Sequence, residues 1–90
     1  MRKIIESTQF KRDYKKIASS GRYSRDELLT VIDLLAHDKL LPVKLRDHAL
    51  VGEWKGFREC HIRPDWLLIY QKIDKELFLA RTGSHSELFS

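Results

Sequence analysis

Three histidines in the second half of the chain, His48, His61 and His85, have the chemistry and the setting to transfer protons. An imidazole with an ordinary pKa of about 6.5 acts as a base or as an acid near neutral pH. General acid–base cleavage of RNA needs one group that removes the 2′-hydroxyl proton, another that protonates the leaving 5′-oxygen, and cations that bind the phosphate. The three histidines therefore fit metal-independent RNA cleavage, although a hydrogen-bonded structural role is the alternative for each.

The remaining histidine and the cysteine do not extend this set. His37 lies near the predicted end of a helix, where an imidazolium interacts favourably with the helix dipole, so we expect a structural role. In the strand predicted around Cys60, this thiol and His61 point to opposite faces, which argues against a catalytic pair. Local pairs such as CxxC or HxxxH, typical of zinc sites, do not occur in the sequence. We therefore expect no metal site and no cofactor.

Composition predicts a small basic domain. The chain has 90 residues, of which 42% are hydrophobic and 33% charged, and 17 Lys and Arg against 13 Asp and Glu give a net charge of +4. This length suffices for one domain over residues 1–90 with a modest core, and the mixing of charged with apolar residues excludes a disordered chain. The positive charge suits a polyanionic partner such as nucleic acid.

Cysteine usage and hydropathy predict a cytoplasmic protein. The single cysteine cannot form an internal disulfide, and residues 1–6 lack the apolar run of a signal peptide. No stretch approaches the roughly 18 consecutive apolar residues of a membrane span. We therefore expect a soluble protein with no membrane partner.

Two helices are predicted in the first half of the chain. A short strand around residues 4–5 precedes a helix that runs to about residue 20, where Gly21 is placed as a C-terminal cap. Ser24 and Glu27 have the spacing of a capping box, which predicts a second helix over residues 25–39. Both segments carry an apolar stripe at helical spacing.

The second half predicts a loop and then a sheet. Residues 40–55 lack periodicity and contain a proline and a glycine. Strands are predicted at residues 57–62, 66–72 and 77–81, joined by short turns that make them antiparallel. Two N-terminal helices packed on this small, mainly antiparallel sheet give an α+β fold.

Four strings of residues closely resemble the YafQ branch of the RelE toxin superfamily. They read DHAL at 47–50, GEWKGFRECHI at 52–62, PDWLLIY at 64–70 and RTGSHSELF at 81–89. Their order and spacing match as well, and the resemblance covers essentially the whole chain. It implies a RelE-like fold and the function of that branch.

That implied function is the toxin of a type II toxin–antitoxin system. The resemblance implies an mRNA interferase, a ribosome-dependent endoribonuclease that enters the A site of the 70S ribosome and cleaves the mRNA codon there. Cleavage would leave a 2′,3′-cyclic phosphate and a 5′-hydroxyl. The expected partners are the ribosome, mRNA and a cognate antitoxin, which we expect to be acidic because the chain is basic.

The resemblance also assigns catalytic positions, which are His48, His61, Asp65, His85 and Phe89. We expect His85 to be a principal proton-transfer residue, with the other two histidines providing a second transfer or orienting the substrate. Asp65 would hold a histidine in its useful tautomer, and the alternative is a turn-stabilising aspartate. Arg81 would neutralise the phosphorane, and the alternative is an ion pair with an acid.

Aromatic and basic side chains are expected to bind RNA. Trp66 and Phe89 can stack on a nucleobase, although a core role suits Trp66 equally. Two positions depart from the family pattern: Glu59 stands where some relatives carry aspartate, which puts a direct role for it in doubt, and Ala49 replaces a common proline. The cations expected at RNA phosphates, with a solvated surface as the alternative, are Lys11, Arg12, Lys15, Lys16, Lys44, Arg46, Lys55, Arg58 and Arg63.

Three other functions stay open at this point. They are a ribosome-independent ribonuclease, a ParE-like toxin that shares the fold but poisons DNA gyrase, and a plain nucleic-acid-binding or interaction module. The set of three histidines argues for cleavage, because neither a gyrase poison nor a binding module needs three imidazoles.

Overall fold

A five-stranded sheet and three helices make up the computed structural model, which describes residues 1–89. The elements are β1 (Lys3–Glu6), α1 (Thr8–Ser20), α2 (Arg25–Ala36), β2 (His48–Ala49), β3 (Arg58–Arg63), β4 (Trp66–Ile73), β5 (Glu76–Gly83) and α3 (His85–Phe89). The strand order is β1-β5-β4-β3-β2, in which only β1 runs parallel to its neighbour β5. The predicted α+β class with a mainly antiparallel sheet is confirmed.

Strand β4 lies at the centre of the sheet and is buried on both faces. Its residues Trp66–Tyr70 are each at most 1% exposed. On one face Trp66, Leu68 and Tyr70 pack against α1 and α2, and on the other Leu67 and Ile69 pack against Leu88 of α3. A strand that is covered on both faces has apolar residues at every position, without the alternation of apolar and polar residues seen in a half-exposed strand. This explains why residues 66–70 form an uninterrupted apolar stretch.

Side chains of Ser7 and of helix α1 form hydrogen bonds with the part of β5 that does not pair with β1. Ser7 caps the helix by accepting a hydrogen bond from the Phe10 amide at 2.8 Å, and its hydroxyl donates to the Ala80 carbonyl at 2.7 Å. Further along, the Thr82 amide donates to the Asp13 carboxylate at 3.2 Å. Polar groups of α1 therefore satisfy backbone atoms that would otherwise be open at a sheet edge.

The predicted capping box of α2 is wrong. Ser24 makes no side-chain capping bond. Glu27 instead accepts two hydrogen bonds from the Arg63 guanidinium, at 2.7 and 2.6 Å. This bidentate ion pair is a stronger interaction than a bond to a backbone amide, so it takes the carboxylate away from the helix end.

Helix α2 also ends at Ala36, three residues before the predicted end. The reason is Asp38, which takes a left-handed conformation with φ of 56°. Its carboxylate accepts hydrogen bonds from Arg2 at 2.8 Å and Lys72 at 2.9 Å, which lower its pKa to about 2. The end of the helix is therefore tied to Arg2, which precedes β1, and to Lys72 of β4.

Two predicted irregular segments contain regular structure. The loop 40–55 holds the short strand β2 and two 3-10 turns, Val43–Leu45 and Gly52–Trp54. The segment from Thr82 to Ser86, which follows the last predicted strand, contains the end of β5 and the start of α3. No helix in the described part of the chain has the length and apolar character needed to traverse a lipid bilayer.

The buried hydroxyl of Thr82 gives a test of the core. It accepts a hydrogen bond from the Trp66 indole nitrogen at 2.9 Å and donates to the Leu67 carbonyl at 2.8 Å. Thr82→Val should lower the free energy of unfolding by about 1–3 kcal/mol, because the indole N–H loses its partner inside the core. Urea denaturation measures the change. Thr82→Ser, which keeps the hydroxyl, is the control, and an equal loss in both variants would contradict a role for this bond.

Candidate active site

A buried carboxylate lies between two imidazoles on the face of the sheet opposite α1 and α2. Glu59 and His61 of β3 stand opposite Ile69 and Leu67 of β4, so all four side chains share that face. The Glu59 Oε1 atom is 3.7 Å from His61 Nε2 and 4.0 Å from His48 Nε2. Glu59 is 5% exposed. The two imidazoles therefore provide its nearest compensating charge when either is protonated.

The position of His48 fixes its tautomer. Strand β2 places His48 opposite Glu59. The His48 Nδ1 atom lies 2.7 Å from the Arg46 carbonyl oxygen, which can only accept a hydrogen bond, so Nδ1 carries the proton. The neutral imidazole then presents an unprotonated Nε2 on the side of Glu59, and half of the side chain is exposed. This nitrogen can accept a hydrogen bond or a proton.

His61 is more enclosed and incompletely bonded. Its side chain is 20% exposed, and its Nδ1 atom is buried with no hydrogen-bond partner within residues 1–89. A buried polar atom without a partner costs about 1–3 kcal/mol. Such atoms are uncommon, and a functional site is one of the places where they are retained.

Asp47 anchors the segment that carries His48. Its carboxylate accepts hydrogen bonds from the Arg58 guanidinium, the shorter at 3.1 Å, and from the Tyr70 hydroxyl. Burial, with the nearby carboxylate, raises the pKa of Tyr70 above its ordinary value, so this phenol stays a donor. Sequence reasoning left Asp47 without a role, yet it fixes the chain next to His48 against β3 and β4.

Helix α3 begins with a capping box that the sequence analysis missed. The Ser84 amide donates to Glu87 Oε1 at 2.9 Å, and the Glu87 amide donates to the Ser84 hydroxyl at 3.2 Å. Lys16 of α1 pairs with the other carboxylate oxygen, Oε2, at 2.9 Å. The Ser84 backbone bond, together with Lys16, holds the pKa of Glu87 at about 2. These contacts attach α3 to α1.

His85 and Phe89 project from this anchored helix. Both are exposed, Phe89 by 38%, and their ring centroids are 5.1 Å apart. Leu88 is buried in the same cluster as Leu67, the residue opposite His61. The structure thus brings His85 and Phe89 to the sheet face that carries the other two candidate histidines. The exposed Phe89 ring is free to stack on a base.

Two predicted site residues are placed elsewhere. Trp66 is 1% exposed, stacked at 4.5 Å on Tyr23 in the core, so its predicted stacking on a nucleobase is wrong and the core alternative holds. Asp65 lies exposed in the turn between β3 and β4, where its backbone carbonyl accepts a bond from the Tyr23 hydroxyl. The carboxylate beside the histidines is Glu59, whose role the sequence analysis doubted. The alternation that placed Glu59 and His61 on one strand face was the available signal.

Several predicted phosphate ligands are engaged in ion pairs. Arg81 donates two hydrogen bonds to Asp13, both 3.0 Å long, which is the alternative named for it above. The other predicted phosphate ligands with an acidic partner are Lys16, Arg58 and Arg63. Six predicted phosphate ligands remain exposed and outside the ion pairs of residues 1–89, namely Lys11, Arg12, Lys15, Lys44, Arg46 and Lys55.

The site contains histidine and glutamate side chains, which are of metal-ligand type. No group of three or more His, Cys, Asp or Glu side chains among residues 1–89 is placed to hold a metal ion. Cys60 faces the opposite side of the sheet in the helix-covered core. Burial raises its pKa to about 12, which keeps the thiol protonated and inert.

Comparison with known proteins gives full-length matches. A family model described as "Bacterial toxin of type II toxin-antitoxin system, YafQ" matches residues 2–90. A protein of Escherichia coli strain K12 named mRNA interferase toxin YafQ is 42% identical over 98% of this chain and 96% of its own length.

Solved structures agree with this match. A metal-bound toxin from Helicobacter pylori is 44% identical with a TM-score of 0.93, covering 99% of this chain and 100% of that one. The E. coli DinJ-YafQ complex contains a chain that is 40% identical with a TM-score of 0.87, covering 100% of both chains.

The low pKa of Glu87 predicts an acid-sensitive contact. A carboxylate whose folded pKa is about 2, below its ordinary 4.5, stabilises the fold above pH 4.5 and loses this contribution as the pH falls through about 2. Glu87→Gln should therefore flatten the decline of the free energy of unfolding over this pH range. Urea denaturation at several pH values measures the slope. The exposed Glu53→Gln is the control, and equal slopes in the two variants would contradict this assignment.

Proposed function

The chain belongs to the YafQ family of bacterial type II toxin–antitoxin toxins, and from this membership we propose that it is an endoribonuclease that cleaves mRNA in the A site of the ribosome. Its E. coli relatives are named mRNA interferase toxins. The observation that carries the proposal is the placement of Glu59 between His48 and His61. A buried carboxylate flanked by two imidazoles suits proton transfer and has no evident purpose in a gyrase poison or a passive binding module.

In the proposed reaction the ribose supplies the nucleophile. His48 Nε2 takes the proton of the 2′-hydroxyl, the 2′-oxygen attacks phosphorus, and the bond to the 5′-oxygen breaks. His85 protonates the leaving 5′-oxygen, so the products are a 2′,3′-cyclic phosphate and a 5′-hydroxyl. Glu59 compensates the positive charge that His48 acquires, and His61 helps to hold this carboxylate. The exposed helix position of His85 supports its role as the donor to a bulky leaving group.

Binding relies on charge and stacking. Phe89 beside His85 would stack on a base, which contributes about 1–3 kcal/mol. Exposed Lys11, Arg12 and Lys15 on α1, together with Lys55, would meet phosphates of the ribosome. The same positive charge suits an acidic antitoxin, and the existence of the related DinJ-YafQ complex supports such a partner.

We propose that the chemistry needs no metal ion of its own. Imidazoles and the 2′-hydroxyl provide every proton donor, acceptor and nucleophile in the reaction above. The related H. pylori toxin is described as metal-bound. A metal held by the imidazole nitrogens would occupy the atoms that must accept or donate protons, so in this chain we expect added metal to inhibit rather than to activate.

Mapping of RNA ends in a translation reaction tests the proposal. Wild-type protein should cut mRNA within codons in the presence of ribosomes, leave 2′,3′-cyclic phosphate ends, and spare the same RNA when ribosomes are omitted. Protein stripped of transition metals with a chelator should retain its rate. Cutting of free RNA at an equal rate would instead identify a ribosome-independent ribonuclease. Activity lost on stripping and restored by one metal would contradict the metal-independent mechanism.

Substitution of the proton-transfer groups tests the assignment of roles. His85→Ala should slow cleavage by about 10²–10⁴-fold, because a general acid is lost. The exposed position of His85 predicts unchanged thermal melting and ribosome co-sedimentation. Glu59→Gln, which keeps the shape but not the charge, should also slow cleavage without weakening ribosome binding. A near wild-type rate in His85→Ala would remove it from the mechanism, and an unfolded variant would make the residue structural.

A further inference from the structure

A groove of about 450 Å³ adjoins His61 at the open edge of β3. Strand β2 pairs only with Arg58 and Glu59, so within residues 1–89 no strand covers β3 beyond Glu59. The 3-10 turn Val43–Leu45 lies alongside this uncovered edge and forms the other wall. The groove volume falls within the range of about 300–1,000 Å³ that is usual for small-molecule sites.

The lining of the groove combines apolar surface, the Glu27–Arg63 ion pair, and two cations that belong to no ion pair among residues 1–89. Leu45, Ile62 and Pro64 supply apolar surface, and Leu45 is buried. Lys44 and Arg46 are exposed on the wall and belong to none of the ion pairs among residues 1–89. Two cations outside these ion pairs, beside an apolar surface, suit a phosphate that carries a nucleobase.

Arg46 connects this groove to the catalytic cluster. Its carbonyl accepts the His48 Nδ1 hydrogen bond at 2.7 Å, while its side chain lines the groove. It adopts a left-handed conformation with φ of 49°, which is unfavourable for a residue other than glycine. The same residue therefore positions His48 through its carbonyl and contributes to the lining of the groove. His61 lines the groove and also approaches Glu59.

We propose that the groove binds the nucleotide next to the scissile phosphate of the single-stranded mRNA. Lys44 and Arg46 hold the phosphate of that nucleotide, and its base lies on Leu45, Ile62 and Pro64. The inference rests on the proposed function, because it takes the His48–Glu59–His61 cluster as the cleavage site. Its consequence is that the groove contributes to both the rate and the sequence preference of cleavage.

The double variant Lys44→Gln/Arg46→Gln tests this subsite. The matched control is Lys3→Gln/Lys75→Gln, which removes the same charge from exposed lysines near the far edge of the sheet. Both proteins are compared with wild type in thermal melting, in ribosome co-sedimentation, and in single-turnover cleavage with the toxin in saturating excess over programmed ribosomes. The nucleotide on each side of the cut is varied in the mRNA.

The groove variant should bind ribosomes like the control. Its cleavage rate should fall to about one tenth of the control rate or below, since a charge-assisted phosphate contact is lost. Its preference for the neighbouring nucleotide should weaken, and Arg46→Lys with Lys44 intact should retain most of the rate. Weaker ribosome binding with a wild-type saturating rate would assign the cations to ribosomal RNA and overturn the subsite. An unchanged cleavage rate with an unchanged nucleotide preference in the groove variant would also overturn the subsite. A wild-type protein that cuts no RNA would refute the proposed function itself.

Discussion

Burial of β4 on both faces is the constraint that organises this molecule. A strand covered on both sides needs apolar layers above and below, and α1 with α2 supplies only one of them. The second layer is made by Leu88 of α3 and by side chains of the long loop, which are also the parts that carry His85 and adjoin His48. The packing that stabilises the sheet therefore also positions the candidate catalytic groups. The second face of the sheet needs an apolar cover for stability, and the same covering segments place the candidate site there.

The position of Glu59 has an energetic consequence. Burial of an ionised carboxylate is unfavourable unless hydrogen bonds or opposite charge compensate it. At Glu59 the ion partners are the two imidazoles, at 3.7 and 4.0 Å, rather than a lysine or arginine. Arg58, the residue before Glu59, pairs with Asp47 instead. The compensating charge is therefore one that appears and disappears with a proton, which is the property that a proton-transfer site requires.

The sequence predicted the elements well and the tertiary partners poorly. Periodicity located both long helices and the three main strands, and alternation placed Cys60 and His61 on opposite faces. The sequence predictions failed where two segments have the same local pattern but different tertiary contacts. Ser24–Glu27 and Ser84–Glu87 have the same capping-box spacing, but Arg63 binds both carboxylate oxygens of Glu27, whereas Lys16 leaves one oxygen of Glu87 for the helix end. Glu59 was likewise undervalued, because the register of the two-residue strand β2 opposite it carries no periodic signal.

The C-terminal helix α3 also depends on tertiary contacts for its geometry. Five residues are too few for a helix that is stable by itself. The geometry of α3 must therefore come from its attachments, which are the Ser84–Glu87 box, the Lys16 ion pair and the buried Leu88. Two of these three attachments depend on one carboxylate, and the third depends on the layer that covers β4. The placement of His85 is consequently a tertiary property, because it depends on α1 and the sheet as well as on α3 itself.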